Sequence, residues 1–182
     1  MIKFNKIDKT QYQNLKSDFK NLYLETFTKG LSAQHIEEAD AVTYLNEIFT
    51  NGYSISGFDG QKLISALMVV PVNFDDELPE DLRKSLTNKQ VLYIAEVLVA
   101  ENYRGLGISK RLFEKFESDL SKSVDSVLLR VWDKNPIAVQ LYKKQGFEPC
   151  GEIIQQKLKP ISRERFEMKK IYMLKSYHKI SS

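Results

Sequence analysis

The sequence predicts a mixed α/β fold, a central sheet of about six to seven strands flanked by about four helices. Three observations predict it. Strand-type and helix-type segments follow one another along all 182 residues, with no internal repeat or low-complexity linker between them. The run Val91-Leu92-Tyr93-Ile94-Ala95-Glu96-Val97-Leu98-Val99 is almost continuously apolar, as in a central strand covered on both faces. That run then passes through a glycine-containing turn into an amphipathic helix.

Each element has its own signal. Residues 2–7 alternate apolar and polar and read as an opening strand. Tyr12, Leu15, Phe19, Leu22, Tyr23 and Phe27 share one helical face, so a single helix is expected over 12–27. A second helix is expected over about 40–49, stopped by Asn51-Gly52. Strands follow at 53–58 and 62–70, with Asp59-Gly60 as the hairpin turn. The polar stretch 71–89 contains Pro71 and Pro79 and has room for a short helix at 80–86. A helix over about 107–121 puts Ile108, Leu112, Phe113, Phe116 and Leu120 on one side. After a strand at 127–132, residues 135–145 form a helix closed by Gly146. Strands near 147–158 and 167–174 complete the order, and one domain over 1–182 is expected.

Composition narrows the function. A chain this long buries about 70% of its unfolded surface, enough for a core without cross-links. The single cysteine, Cys150, rules out an intrachain disulfide, and His35 and His178 lack metal-ligand spacing, so no metal is expected. A net charge of +3 is too small to argue for nucleic acid. No apolar stretch approaches the roughly 20 residues that cross a bilayer. The first residues lack the apolar run of a signal peptide, so no membrane partner and a cytoplasmic location are expected.

The most informative segment is the turn after the apolar run. Gly105 and Gly107 let backbone approach a ligand closely. The first amides of the following helix point at that ligand and favour an anion, and Arg104 adds a permanent charge. A pyrophosphate suits such a turn, although a turn that merely connects strand to helix has the same composition. Neither Gly-x-Gly-x-x-Gly nor a Gly-Lys-Ser/Thr loop is present.

The segment Tyr103-Arg104-Gly105-Leu106-Gly107-Ile108-Ser109 resembles the acetyl-CoA signature of the GNAT superfamily of N-acetyltransferases, Arg/Gln-x-x-Gly-x-Gly/Ala. Arg104 and Gly107 match, and Ser109 stands in the last place. A second stretch, 131–147, is similar to the family pattern Asn-x-x-Ala-x-x-x-Tyr-x-x-x-Gly-Phe, with Asn135, Ala138, Tyr142, Gly146 and Phe147 in register. The resemblance implies a mostly antiparallel sheet with a splayed central strand pair. It implies an acetyl-CoA-binding core over 90–150 and an acceptor-side half over 1–75. The implied cofactor contacts are Val97, Leu98 and Val99 for the pantetheine, Arg104, Gly105, Leu106, Gly107, Ile108 and Ser109 for the pyrophosphate, and Asn135 and Ala138 on the last helix. The implied reaction is direct attack of an amine on the thioester in a ternary complex, with an oxyanion donor at a backbone N–H near 98. Homodimers are common in this family.

Spacing gives the second motif a physical sense. Asn135 and Tyr142, seven residues apart, share one helix face, with the small Ala138 between them. Tyr142 is the candidate general acid for the leaving thiolate; as structural alternatives, Asn135 is an N-cap and Tyr142 a core aromatic. Glu96, the one ionisable carboxylate in the apolar run, is either the general base or a carboxylate that positions structure or acceptor. Cys150 is read as a small buried residue rather than a nucleophile. His35 is either a surface residue or an acceptor contact. The acids Asp75, Asp76, Glu77, Glu80 and Asp81 form either a solvated loop or a negative rim that draws in a cationic acceptor. The basic residues from Lys157 through Lys170 and Lys175 to Lys179 are read as a charged sheet edge. The competing function is a non-catalytic module of the same fold that binds acyl-CoA as a sensor.

Overall fold

A computed structural model describes residues 1–30 and 33–177; Leu31, Ser32, His178 and Lys179 lie outside the described residues. The elements run β1 (Ile2–Ile7), α1 (Lys9–Tyr12), α2 (Lys16–Thr28), α3 (Glu38–Asn51), β2 (Tyr53–Asp59), β3 (Lys62–Pro71), α4 (Glu80–Ser85), β4 (Val91–Val99), α5 (Ile108–Ser118), β5 (Ser126–Trp132), α6 (Pro136–Lys144), β6 (Glu148–Leu158) and β7 (Arg165–Ser176). The strands form one seven-stranded sheet in the order β1-β2-β3-β4-β5-β7-β6. Among the described residues, only β4 and β5 pair in parallel. The apolar run 91–99 is therefore the middle strand, as its composition predicts.

Three expectations need correction. The helix over 12–27 is two helices. Asp8 caps α1 by accepting from the N–H groups of Thr10 and Gln11, while the Gln11 side chain accepts from the Asp8 N–H, a reciprocal capping box. The chain then passes through turns at Gln13–Leu15 before α2 starts. Tyr12 still reaches the core, stacked on Phe49 at 4.0 Å with Phe19 edge-on to both. The β2–β3 hairpin turns one residue later than expected, because Asp59 pairs with Lys62 and leaves Gly60 and Gln61 at the tip. The helix after the glycine turn ends at Ser118, three residues early.

Register places the layers. Phe4, Gly57, Ser65 and Val99 are cross-strand partners in series and so share one face. Arg111 of α5 lies over the Phe4 ring at 4.7 Å, so α5 covers that face. Tyr142 of α6 packs edge-on to Phe113 of α5 on the same side. The other face carries Glu96, bonded to Tyr44 of α3, and α2 packs beside α3.

Two irregularities in β4 make the site. Met68 pairs with Glu96 but Val69 pairs with Ile94, so Ala95 is an unpaired bulge residue. Strand side chains alternate with period two, and the extra residue puts Tyr93 and Glu96 on the same face although they are three apart. The parallel pairing of β4 with β5 also ends at Ile94↔Leu129, while β4 stays paired with β3 to Val99 and β5 runs on to Trp132. The two central strands splay from the bulge onward.

Candidate active site

The gap between the splayed strands exposes backbone. Ala100 donates its N–H to the Ile64 carbonyl at 2.8 Å. Antiparallel ladders alternate, so Leu98 also faces β3, and the N–H and C=O of Val97 and Val99 face the gap. Of the three expected backbone contacts, the geometry offers Val97 and Val99. Leu98 is committed to the sheet and fully buried.

A cleft of about 520 Å³ follows this gap. Glu96, Val97, Val99, Arg104, Ser109, Asn135, Ala138 and Tyr142 all line it, so two segments of the chain meet in one place. At the end formed by the glycine turn, Gly105 (φ +77°) and Gly107 (φ +72°) are left-handed. A Cβ on either would meet nothing within 4 Å, so the backbone turn requires glycine and the space above it is open to a ligand. Gly107 is the N-cap of α5, and no side chain among the described residues caps that helix, which leaves its first amides for an anion. Arg104 is exposed, and its Nε donates to the Val99 carbonyl at 3.1 Å, tying the turn to the end of β4. Leu106 is exposed; Ile108 is buried in the core and anchors the helix instead of facing the cleft.

Asn135 has both roles that its position suggests. Its Oδ1 accepts from the Ala138 N–H at 3.2 Å and caps α6, while its amide nitrogen has no partner among the described residues. Tyr142 is 8% exposed and packs edge-on to Phe113 and Phe147, with ring centroids 5.8 and 6.2 Å away. Its hydroxyl has no hydrogen-bond partner among the described residues. Burial, and then the Glu96 charge, hold the phenol well above its ordinary pKa, so it carries its proton at neutral pH. These groups fit a coenzyme A: an open glycine turn with helix-start amides for the pyrophosphate, the gap-facing edge of β4 at Val97 and the Val99 N–H for the amide-bearing arm, and the Asn135 amide and Tyr142 phenol farther along.

Across the gap, Glu96 is held by the Tyr44 hydroxyl, which donates to Oε1 at 2.9 Å. Burial raises its pKa, and the Tyr44 bond and the cations Lys170, Arg130 and Lys157 offset only part of that. Tyr23 lies against Tyr44 at 5.7 Å, and Tyr44 against Phe74 at 6.1 Å, giving this side an aromatic wall. A second cavity of about 630 Å³, lined by Tyr44, Phe74 and Tyr93, shares Arg130 with the cleft.

Other expectations change here. The acids at 75–81 divide: Asp75, Asp76 and Glu77 line the second cavity together with Glu47 of α3, and Glu80 and Asp81 do not. Asp75 is buried and accepts from Tyr172 Oη at 2.7 Å and Arg130 at 3.2 Å. Glu77 accepts from Arg130 at 2.9 Å and from the Gln155 amide. Glu80 lies 3.9 Å from Arg83 and 3.7 Å from Lys84, which leaves Asp76 and Asp81 exposed without such pairing. Cys150 is exposed, not buried, because it bulges out of β6 between Pro149 and Gly151. Partial desolvation pushes its thiol up to about 11, against a nucleophilic role. His35 ties loop to sheet: its N–H donates to the Leu158 carbonyl at 2.7 Å and its ring lies 2.6 Å from Glu37. The charged-edge reading suits β6, but β7 is an interior strand and its Lys170 lines the cleft.

Tyr44, Arg130 and Lys170 escape the sequence reading. One signal for them exists. Phe166, Met168, Lys170 and Tyr172 keep period two, with Met168 and Tyr172 buried, which marks Lys170 as an inward position.

Comparison with known proteins agrees with this architecture. The family described as the Acetyltransferase (GNAT) family matches residues 16–147. A crystal structure of a protein from Pyrococcus horikoshii OT3 superposes with a TM-score of 0.68 at 19% identity, covering 98% of this chain and 100% of that one. An acetyltransferase of the GNAT family from Streptococcus pneumoniae gives 0.65 at 17% identity, over 97% and 100%. A ribosomal-protein-alanine N-acetyltransferase from Brucella melitensis gives 0.64 at 18% identity, over 97% and 99%. At these identities the structures speak for the fold alone.

Proposed function

The chain belongs to the GNAT family of acetyltransferases, and on that premise we propose that it moves an acetyl group from acetyl-CoA to an amine of a small molecule or protein, by direct attack in a ternary complex. One observation carries the reading. The splay of β4 from β5 brings a protonated, partnerless phenol, Tyr142, and a desolvated carboxylate, Glu96, to a single cleft.

Bound acetyl-CoA supplies the thioester, an acyl group already activated for attack. The turn Arg104–Ser109 and the α5 amides hold the pyrophosphate by charge and hydrogen bonds. Val97 and Val99 pair with the pantetheine arm as a neighbouring strand would, and the Asn135 amide adds a donor. An aliphatic amine, with a pKa near about 10.4, arrives protonated and cannot attack. Glu96, made more basic by burial, takes that proton directly or through a water. A gap-facing N–H of β4 donates to the carbonyl oxygen as negative charge develops on it. Tyr142 gives its proton to the departing sulfur.

The test is thermal stabilisation by acetyl-CoA, followed by thiol release with a panel of amines. A ligand that binds only the folded state raises the melting point by mass action. Absence of stabilisation at saturating acetyl-CoA, in a protein that melts cooperatively, would overturn the proposal.

A further inference from the structure

The lysines of the last two strands fall into two groups. Lys159, Lys169 and Lys175 each meet a carboxylate: Glu164 at 2.6 Å, Glu152 at 2.6 Å, and Glu117. The side chains of Lys157 and Lys170 make no ion pair or hydrogen bond among the described residues, although both residues are partly buried. They occupy the same face. Lys170 is paired in register with Ile153, and Ile153, Gln155 and Lys157 alternate on one side of β6. Lys170 is also opposite Trp132 on β5, which puts it on the side of Arg130, two residues before Trp132.

A partly desolvated cation without an ion pair is unfavourable, so Lys170, which lines the cleft, marks a place for a negative group. Burial, partly offset by Glu96, pulls Lys170 down to about 8; burial and then Arg130 lower Lys157. An anion seated there would reverse both effects.

Arg130 cannot supply this site alone, because Asp75, Glu77 and Tyr172 already occupy it. The cleft lining sets Lys170 beside Glu96, one group of each sign, while the acids Glu47, Asp75, Asp76 and Glu77 line the second cavity. A guest with one charge of each sign complements that pair.

We propose that the acceptor is a small amino acid-like zwitterion, with its amine directed to Glu96 and its carboxylate held by Lys170. This rests on the acetyltransferase reading and adds the class of acceptor to it. Tyr44 and Phe74, which line the adjoining cavity, are then available to the acceptor's side chain. The reaction forms an amide bond at the amine nitrogen, breaks the thioester, and leaves the carboxylate unchanged in the N-acetylated product.

The experiment uses the full chain with acetyl-CoA and four acceptors: glycine, methionine, phenylalanine and γ-aminobutyrate. Each is run beside its carboxamide and its decarboxylated amine, with thiol release and thermal shift as readouts. The carboxamide of an α-amino acid is the less basic amine, so a preference for the acid cannot come from easier deprotonation. The expected result is kcat/KM at least about tenfold higher for one or more of the acids than for its two counterparts. Lys170→Met should collapse that ratio through KM, and Lys170→Arg should restore part of it. Stabilisation by acetyl-CoA should survive in both variants, which reports that they fold. Equal use of acids and counterparts, use of neither, or an unchanged ratio in a well-folded Lys170→Met protein would overturn the zwitterion proposal. Transfer to the plain amines would leave the acetyltransferase reading standing, whereas absence of any acetyl-CoA stabilisation in the unaltered protein would remove the reading beneath it.

Discussion

A phenol that serves as an acid must keep its proton until the leaving group needs it. Burial and the Glu96 charge do this for Tyr142, and the edge-on rings of Phe113 and Phe147 hold it in place. Tyr142→Phe keeps that packing and removes only the proton, so kcat should fall about 100-fold with the KM for acetyl-CoA nearly unchanged. Steady-state kinetics decide it, and an unchanged kcat would remove Tyr142 from the mechanism. Glu96 makes a pH prediction. Its folded-state pKa is raised, so its base form appears at higher pH than for an ordinary carboxylate. The acidic limb of the kcat/KM profile should lie above the usual carboxylate range and vanish in Glu96→Gln, with a large loss of rate. Stability follows with the opposite preference. Below the ordinary carboxylate pKa both states are protonated and Glu96 costs nothing. Between the ordinary and the raised value the unfolded chain ionises first, so stability falls as pH rises through that window. Glu96→Gln should lack that fall, as urea melts at either end of the window would show. Tyr142, Arg104 and Asn135 were legible because their neighbours in sequence form motifs. Lys170 and Arg130 were not, since the residues around them come from other strands and loops far along the chain.

At the scale of elements, most segments could be read because each depends on local chemistry: apolar spacing, caps and glycine stops. The failures are places where a local feature overrode a longer pattern. The Asp8–Gln11 capping box starts a helix early, and the chain has to break before α2 can begin. The bulge at Ala95 left no trace in composition, because an alanine in an apolar strand looks like any other small residue. Gly52 illustrates the reverse, a residue readable as a helix stop that has a second duty. A Cβ there would lie 1.8 Å from the Val69 carbonyl oxygen, so the junction of α3 with β2 closes directly onto β3. Gly52→Ala must move backbone and should cost about 3 kcal/mol or more by denaturant unfolding. A cost below about 1 kcal/mol would mean the junction relaxes easily.

For the whole molecule, the sheet order brings residues 93–142 together around one gap and leaves the faces to the flanking helices. The order itself was legible only through the resemblance; alternation of segments predicts a layered α/β fold but not which strands are neighbours. Because so many separate elements line the cleft, a ligand there should stabilise the chain as a unit. At about 100 times its dissociation constant acetyl-CoA should add about 2.7 kcal/mol, or roughly 5–10 °C in Tm. Arg104→Glu should abolish the shift, and calorimetry of the two proteins side by side would show it. The bulge has one more consequence. Downstream of Ala95, β4 is out of phase with β5: a residue facing one layer would have to pair with a residue facing the other. In the register fixed by Ile94↔Leu129, the two strands therefore cannot pair across the gap without burying the wrong side chains. Capture of the cofactor would then need no prior opening step, and its observed association rate should rise linearly with concentration, without the plateau that a gated site imposes.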